Sequence, residues 1–240
     1  MATRRLSHGT MLDLKGYGHL LIDGAWMTIV AGLVSLAVAI LLGLVGAAGK
    51  LSASRAARLI AGTYTTVIRG VPELVRLLLV FFGGTILLQK LFQLFGDDSY
   101  VEVNAFCAGA GTIGFVYGAF ATEVFRGAIL AVPKGQLEAA RACGMSRWLV
   151  LRRVLLPQMW RFAIPGLGNV WLVLLKATSL MSVVGLDELT RKSYVAAGAT
   201  KLYFAFFALA GLIYLLLTII SMLLLQVVER YANRGVRRGV

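Results

Sequence analysis

Three stretches of this sequence, residues 24–49, 103–122 and 202–228, contain no charged side chain. A helix crossing the hydrocarbon core of a bilayer needs about 20 mostly apolar residues, so each stretch is long enough to span. A water-soluble chain would have to bury such runs on every side. With 59% of its 240 residues apolar and 15% charged, this one has too little polar surface to do so. Short alternating segments of barrel type are absent. The fold expected is therefore an all-α integral membrane protein, in which each spanning segment satisfies its own backbone hydrogen bonds.

Two further apolar runs carry isolated charges: residues 59–88, interrupted by Arg69, Glu73 and Arg76, and residues 162–186, which contain Lys176. Five spans result, at about 22–49, 59–88, 103–125, 162–186 and 202–228. They form a transmembrane domain over 22–228, preceded by an outer segment (1–21) and followed by a tail (229–240). The loops fix a direction. Lys50, Arg55 and Arg58, then Lys134, Arg141, Arg147, Arg152, Arg153 and Arg161, then Arg230, Arg234, Arg237 and Arg238 all fall on one side. The other side mixes Arg4, Arg5, Lys15, Lys90, Arg191, Lys192 and Lys201 with acids such as Asp97, Asp98 and Glu102. The excess of Lys and Arg in cytoplasmic loops places the first set inside the cell. The N-terminus is then periplasmic and the C-terminus cytoplasmic, in an inner membrane.

Several function classes are disfavoured. A net charge of +13 would suggest nucleic acid in a soluble protein, but here the charge lies in the loops between and after spans, where it sets orientation against lipid. Cys107 and Cys143 fall in a span and in a loop, and the two histidines, His8 and His19, lie near the N-terminus, so no metal framework is expected. An enzyme embedded in the membrane would need an acid–base or nucleophile set facing one cavity. No histidine lies in a span, and no two acids stand at i, i+3 or i+4 within one. No Gly-x4-Gly-Lys-Ser/Thr loop is present, so ATP hydrolysis by this chain is not expected. The N-terminal segment lacks the short apolar core and small-residue cleavage site of a signal peptide. No internal repeat is evident, in contrast to many secondary transporters, and five helices are few for a complete pathway. A second membrane chain is expected.

The cytoplasmic segment at about 131–161 is too charged to span and too patterned to be a linker. Helix-favouring residues run to Ala142, Gly144 can end that helix, and Arg147 to Leu156 can form a second one stopped at Pro157. On chemistry alone it is either an amphipathic loop resting on headgroups or a docking surface for a soluble partner. Its residues are Glu138-Ala139-Ala140, Gly144-Met145, Val154 and Leu156-Pro157. At this spacing they resemble the cytoplasmic signature of the permease subunits of bacterial ABC importers: Glu-Ala-Ala, three residues, Gly, nine residues, Ile, one residue, Leu-Pro. Val154 in place of Ile is the one departure. Further segments resemble the polar-amino-acid branch of that family: Arg69-Gly70-Val71-Pro72-Glu73-Leu74-Val75, Tyr117-Gly118-Ala119 with Glu123 and Arg126-Gly127, and Lys176-Ala177-Thr178-Ser179-Leu180. The resemblance runs from about residue 24 to the tail. It is nearest to the Q-type subunits of histidine/lysine/arginine/ornithine importers and to opine permeases.

The resemblance implies a type I importer fold in which coupling helices sit in a cleft of an ATP-hydrolysing partner. It further implies two ATP-binding subunits that hold the ATP and Mg, a periplasmic binding protein, and alternating access in a pair of permease chains. Glu138, Ala139, Ala140, Gly144, Met145, Leu156 and Pro157 would carry the coupling. In relatives that bind solute within the membrane, the fourth helix carries a Glu and, seven residues on, an Asp. The matching positions here are Val170 and Ala177, so a heterodimer is implied in which the second permease supplies them.

Candidates for the solute path on this side are Arg69, Glu73, Asn169, Thr178 and Ser179. Arg69, Glu73 and Arg76 stand at i, i+4 and i+7 and would share one face of a continuous helix. That face serves equally as a structural ion pair between helices or, through Glu73, as a partner for a cationic solute. Asn169, Thr178 and Ser179 serve equally in helix–helix hydrogen bonding. Glu123 and Arg126 are expected to form a structural pair, and Lys176 to snorkel or pair. The solutes implied are basic amino acids or opines, with other polar amino acids as the alternative within the family and a secondary transporter as the alternative outside it.

Overall fold

The computed structural model describes residues 16–95 and 104–233, all helical apart from short connections. The acidic stretch with Asp97, Asp98 and Glu102 lies outside the described residues, as do Arg4, Arg5, His8, Lys15, Arg234, Arg237 and Arg238. Within the described residues nine α-helices follow in chain order: α1 Gly18–Leu51, α2 Arg55–Gly70, α3 Glu73–Leu94, α4 Ala105–Leu130, α5 Lys134–Ala142, α6 Arg147–Val150, α7 Leu156–Ala177, α8 Leu189–Thr200 and α9 Tyr203–Ala232. Among the described residues five helical stretches are long and apolar enough to cross a membrane: α1, α3, α4, the run Arg147–Val184 and α9.

Two boundaries differ from the sequence expectation. Residues 59–88 are not one helix. Pro72 lacks an N–H and pushes the residue before it out of the α region; Val71 is extended (φ −99°, ψ 142°), so the chain breaks between α2 and α3. Only α3 is a span in its own right. Conversely, Pro157 does not stop a helix. Residues Leu151–Leu155 form a π-helical turn in which the Leu156 N–H donates to the Leu151 carbonyl, five residues back. That widened turn takes up the proline, the Gln158 side chain donates to the Val154 carbonyl at 3.1 Å, and the helix runs on from Arg147 into α7.

Packing centres on α4. Of its most apolar stretch 61% is buried within the chain, against 6% for α9, which leaves α9 facing lipid or another chain. Lipid tails are as apolar as leucine, so helices in a bilayer associate through close van der Waals contact rather than by exclusion of water. The sequence supplies small residues where α1 and α4 cross. A Cβ on Gly43 would stand 2.6 Å from that of Ala121, one on Gly46 2.2 Å from Thr122 Oγ1, and one on Gly114 2.5 Å from Val38 Cβ. The order of these contacts makes α1 and α4 parallel. Trp171 of α7 covers Gly32, and Val124 of α4 lies against Gly166, so α7 runs antiparallel to both.

The short helix α8 is held at its start by three groups. Gly24 lets the Leu189 backbone approach. Thr28 Oγ1 accepts from Leu189 N–H at 3.2 Å. Glu188 caps the helix by accepting from the N–H groups of Thr190 and Arg191, both at 2.9 Å. The Glu188 side chain is wholly buried and also accepts from Tyr214 of α9 at 2.9 Å. Burial raises its pKa above the ordinary carboxylate value, against the lowering effect of these hydrogen bonds.

Candidate functional site

The segment between α4 and α7 leaves its polar surface open. Pro133 precedes the first turn of α5, where its missing N–H is no loss. Within α5, Ala140 is buried, whereas Glu138, Ala139 and Arg141 are exposed. The helix ends in a paired turn. Gly144 N–H donates to the Arg141 carbonyl at 2.9 Å and Met145 N–H to that of Ala140 at 3.2 Å, with Gly144 in the left-handed region at φ +79°. This closure satisfies the last carbonyls of α5 and favours glycine at that place. Ser146 then caps α6 by accepting from Leu149 N–H at 3.3 Å.

The seven residues assigned to coupling do not form one patch. Glu138, Ala139 and Gly144 are exposed around the turn and Met145 is half-buried there. Ala140 packs inward, while Leu156 and Pro157 lie at the base of α7. Among the described residues, nothing stands within 4 Å of a Cβ built on Gly144. Gly144 therefore stands at an open point of the turn, and the turn is tied to a span on either side: α4 before it, and the continuous run to Val184 after it.

A second cluster sits at the break between α2 and α3, against the middle of α4. The break separates Arg69 from Glu73, so the shared helical face disappears. Among the described residues, no ion pair links Arg69, Glu73 and Arg76. Glu73 instead accepts from the Tyr117 hydroxyl at 2.5 Å. Arg76 is buried and donates to the Ile68 carbonyl at 2.8 Å and to that of Val71 at 3.5 Å, which ties α3 to the end of α2. The guanidinium carbons of Arg69 and Arg76 each lie 5.5 Å from the centre of the Phe120 ring, and Tyr117 stacks on the same ring. The sequence did not single out Phe120 or Tyr117 as partners, because they stand more than 40 residues downstream of Glu73.

The other candidates are placed apart from this cluster or already satisfied. Asn169 is exposed on α7. Thr178 donates to the Leu175 carbonyl and Ser179 to the Lys176 carbonyl, both at 2.7 Å. They open a tight helical turn, Thr178–Val184, that packs on α3 and α4. Val170 and Ala177 face inward and are buried. Glu123 pairs with Arg126 at 2.9 Å and also with Lys50, so one carboxylate joins the ends of α1 and α4. Lys176 is exposed and makes none of the ion pairs found among the described residues. Those residues contain no group of three or more His, Cys, Asp or Glu side chains that could hold a metal ion.

Comparison with known proteins agrees with this layout. Residues 20–234 match the family described as binding-protein-dependent transport system inner membrane component. The chain is 51% identical over 223 residues to the nopaline transport system permease protein NocQ of Agrobacterium fabrum, covering 92% of this chain and 94% of that one. It is 44% identical over 226 residues to the histidine/lysine/arginine/ornithine permease HisQ of Salmonella typhimurium, covering 94% and 99%. Among solved structures, a chain of an amino acid ABC transporter crystallised with histidines superposes with a TM-score of 0.78 at 33% identity, over 92% of this chain and 98% of that one. A chain of the inward-facing MetNI methionine transporter superposes at 0.67 with 19% identity, over 90% and 98%, and shares the fold. A match over nearly the whole length means that the chain belongs to the family of inner membrane components of binding-protein-dependent transport systems.

Proposed function

We propose that this chain is a membrane-spanning permease subunit of an ATP-driven importer that moves basic amino acids or opines into the cell. The observation that carries this reading is the α5–α6 segment. Its paired turn is exposed at Gly144, with open space where a side chain would stand, yet it is joined without a flexible linker to two spans. A soluble motor subunit seated on that turn would move both spans as rigid levers. The solute class follows from relatives named as permeases for nopaline and for histidine, lysine, arginine and ornithine.

In this reading the chain has no catalytic residue of its own, and ATP and Mg reside on two partner ATPases. Glu138, Ala139, Gly144 and Met145 contact the motor, Ala140 and Leu156 hold the segment against the spans, and Pro157 stands exposed at the base of α7. The assembly contains a second, different permease chain and receives solute from a periplasmic binding protein. The N-terminus lies outside and the basic loops inside.

The test is reconstitution of the chain with its candidate partners in liposomes. ATP-dependent uptake of arginine, lysine, histidine, ornithine, octopine or nopaline is expected, and it should vanish when the ATPase is omitted. Uptake that persists without the ATPase, driven by an ion gradient, would contradict the proposal.

A further inference from the structure

Among the described residues, the α2–α3 break holds more positive than negative charge. It lies against Tyr117 and Phe120, in the middle of α4, itself a 26-residue span. Arg69 and Arg76 bring two guanidinium groups to one ring. Even with Glu73 counted as a full negative charge, one positive charge remains, and Glu73 is directed to a tyrosine hydroxyl rather than to either arginine. Arg76, the buried one of the two, meets its charge only with the ring and two backbone carbonyls, whereas Arg69 is exposed. A cation away from water is only partly compensated by such neutral partners.

Two further features point to the same missing species. Arg76 is only 7% exposed and its Nε has no hydrogen-bond partner among the described residues, an unmet donor of the kind that buried groups seldom leave. The first turn of α3 begins at this point with Pro72 in the capping position and no side chain accepting from its free N–H groups. A helix N-terminus carries partial positive charge and attracts anions. The guanidinium pair and the orphaned Nε call for a carboxylate, and the helix start, whose first turn has Glu73 as its one acid, adds to the attraction.

We infer that Arg69 and Arg76 at the α2–α3 break receive a carboxylate of the solute, and that this chain favours solutes with at least as many carboxylates as cationic groups over simple basic amino acids. This deepens the importer reading and rests on it. Arginine carries one net positive charge and would add to the local excess. Octopine and nopaline add one and two carboxylates to arginine and would cancel it. Glu73, held by Tyr117, remains as the acceptor for the cationic end of the same molecule. A carboxylate of the second permease chain is the rival source of the anion.

The experiment is transport by the complete assembly in liposomes, with KM and kcat measured for arginine, octopine and nopaline, in wild type and in Arg76→Gln and Arg69→Gln. The expected result is a lower KM for the opines than for arginine in wild type. In either variant the opine KM should rise about tenfold or more, as loss of one charge-assisted hydrogen bond implies, while the arginine KM changes less than about threefold. Equal losses for all three solutes, or a fall in kcat alone, would assign the arginines to a structural carboxylate of the partner and overturn the inference. So would wild-type uptake of basic amino acids without opines, which leaves the importer reading standing. Wild-type uptake of neither class would instead refute the importer reading. Insertion of both variants is checked by their ATPase activity, so a failure to assemble is not mistaken for loss of the site.

Discussion

Replacing Gly144 separates two reasons for a glycine at the exposed turn. The residue has φ +79° and nothing within 4 Å of an added Cβ. Within this chain alanine would therefore meet no clash, only the cost of a left-handed backbone, about 1–2 kcal/mol for an ordinary L-residue. That cost falls on the paired turn closed by Gly144 and Met145 N–H groups, and it would lower the population of the native turn by about 5- to 30-fold. Asparagine adopts this conformation more readily and should lose much less. In the reconstituted transporter, Gly144→Ala is expected to reduce coupled uptake by a factor within that range. Gly144→Asn should keep most of it, and both chains should insert in normal amount. Equal and complete loss in both variants would refute the backbone argument, because it would mean that a partner surface excludes any side chain there. Full activity of Gly144→Ala would refute the role of the turn altogether.

Other perturbations probe the frame that carries this turn. Gly46→Ala places a Cβ 2.2 Å from Thr122 Oγ1 and should lower stability by about 1–3 kcal/mol, read as the melting temperature of the purified complex; adding Thr122→Ala should recover most of the loss. Glu123→Gln leaves Lys50 and Arg126 without their shared carboxylate and should cost about 1–3 kcal/mol in the same assay. Glu188→Gln should change the pH dependence of stability. Burial raises the folded-state pKa of Glu188, so its contribution is present below the unfolded value and declines as pH rises through the folded one. Wild type should therefore lose stability relative to Glu188→Gln as pH climbs from about 4 upward, and a difference that stays flat with pH would contradict the assignment.

Much of the fold was legible because the bilayer imposes a simple code. Charge-free runs at 24–49, 103–122 and 202–228 could only be spans, and the described residues of each lie almost wholly in one long helix, α1, α4 or α9. The errors came where a proline acts through its surroundings. Pro72 breaks residues 59–88 outright, since Val71 before it is extended. Pro157 breaks nothing, since a π-helical turn at Leu151–Leu155 takes it up. Gly70, two residues before Pro72, marks a weak point where a bend could be expected, whereas the widened turn before Pro157 has no such mark. The turn at Gly144 was legible as a helix end, because a glycine follows a helix-forming stretch; its positive φ and paired hydrogen bonds required coordinates. The charge cluster was half legible. Arg69, Glu73 and Arg76 stand out in an apolar run, but their partners Tyr117 and Phe120 belong to α4. The supposed ion pair gave way to a hydroxyl, a ring and a backbone carbonyl.

Cys143 stands exposed beside Gly144, and the one other cysteine, Cys107, can be removed by Cys107→Ser. With single cysteines placed along the cleft of the candidate ATPase, mild oxidation of the assembled transporter should join Cys143 to the motor subunit in high yield and arrest uptake until a reductant is added. A Cys143 that forms no cross-link to any motor position, while a membrane-impermeant maleimide labels it from the periplasmic face, would contradict the account at its root.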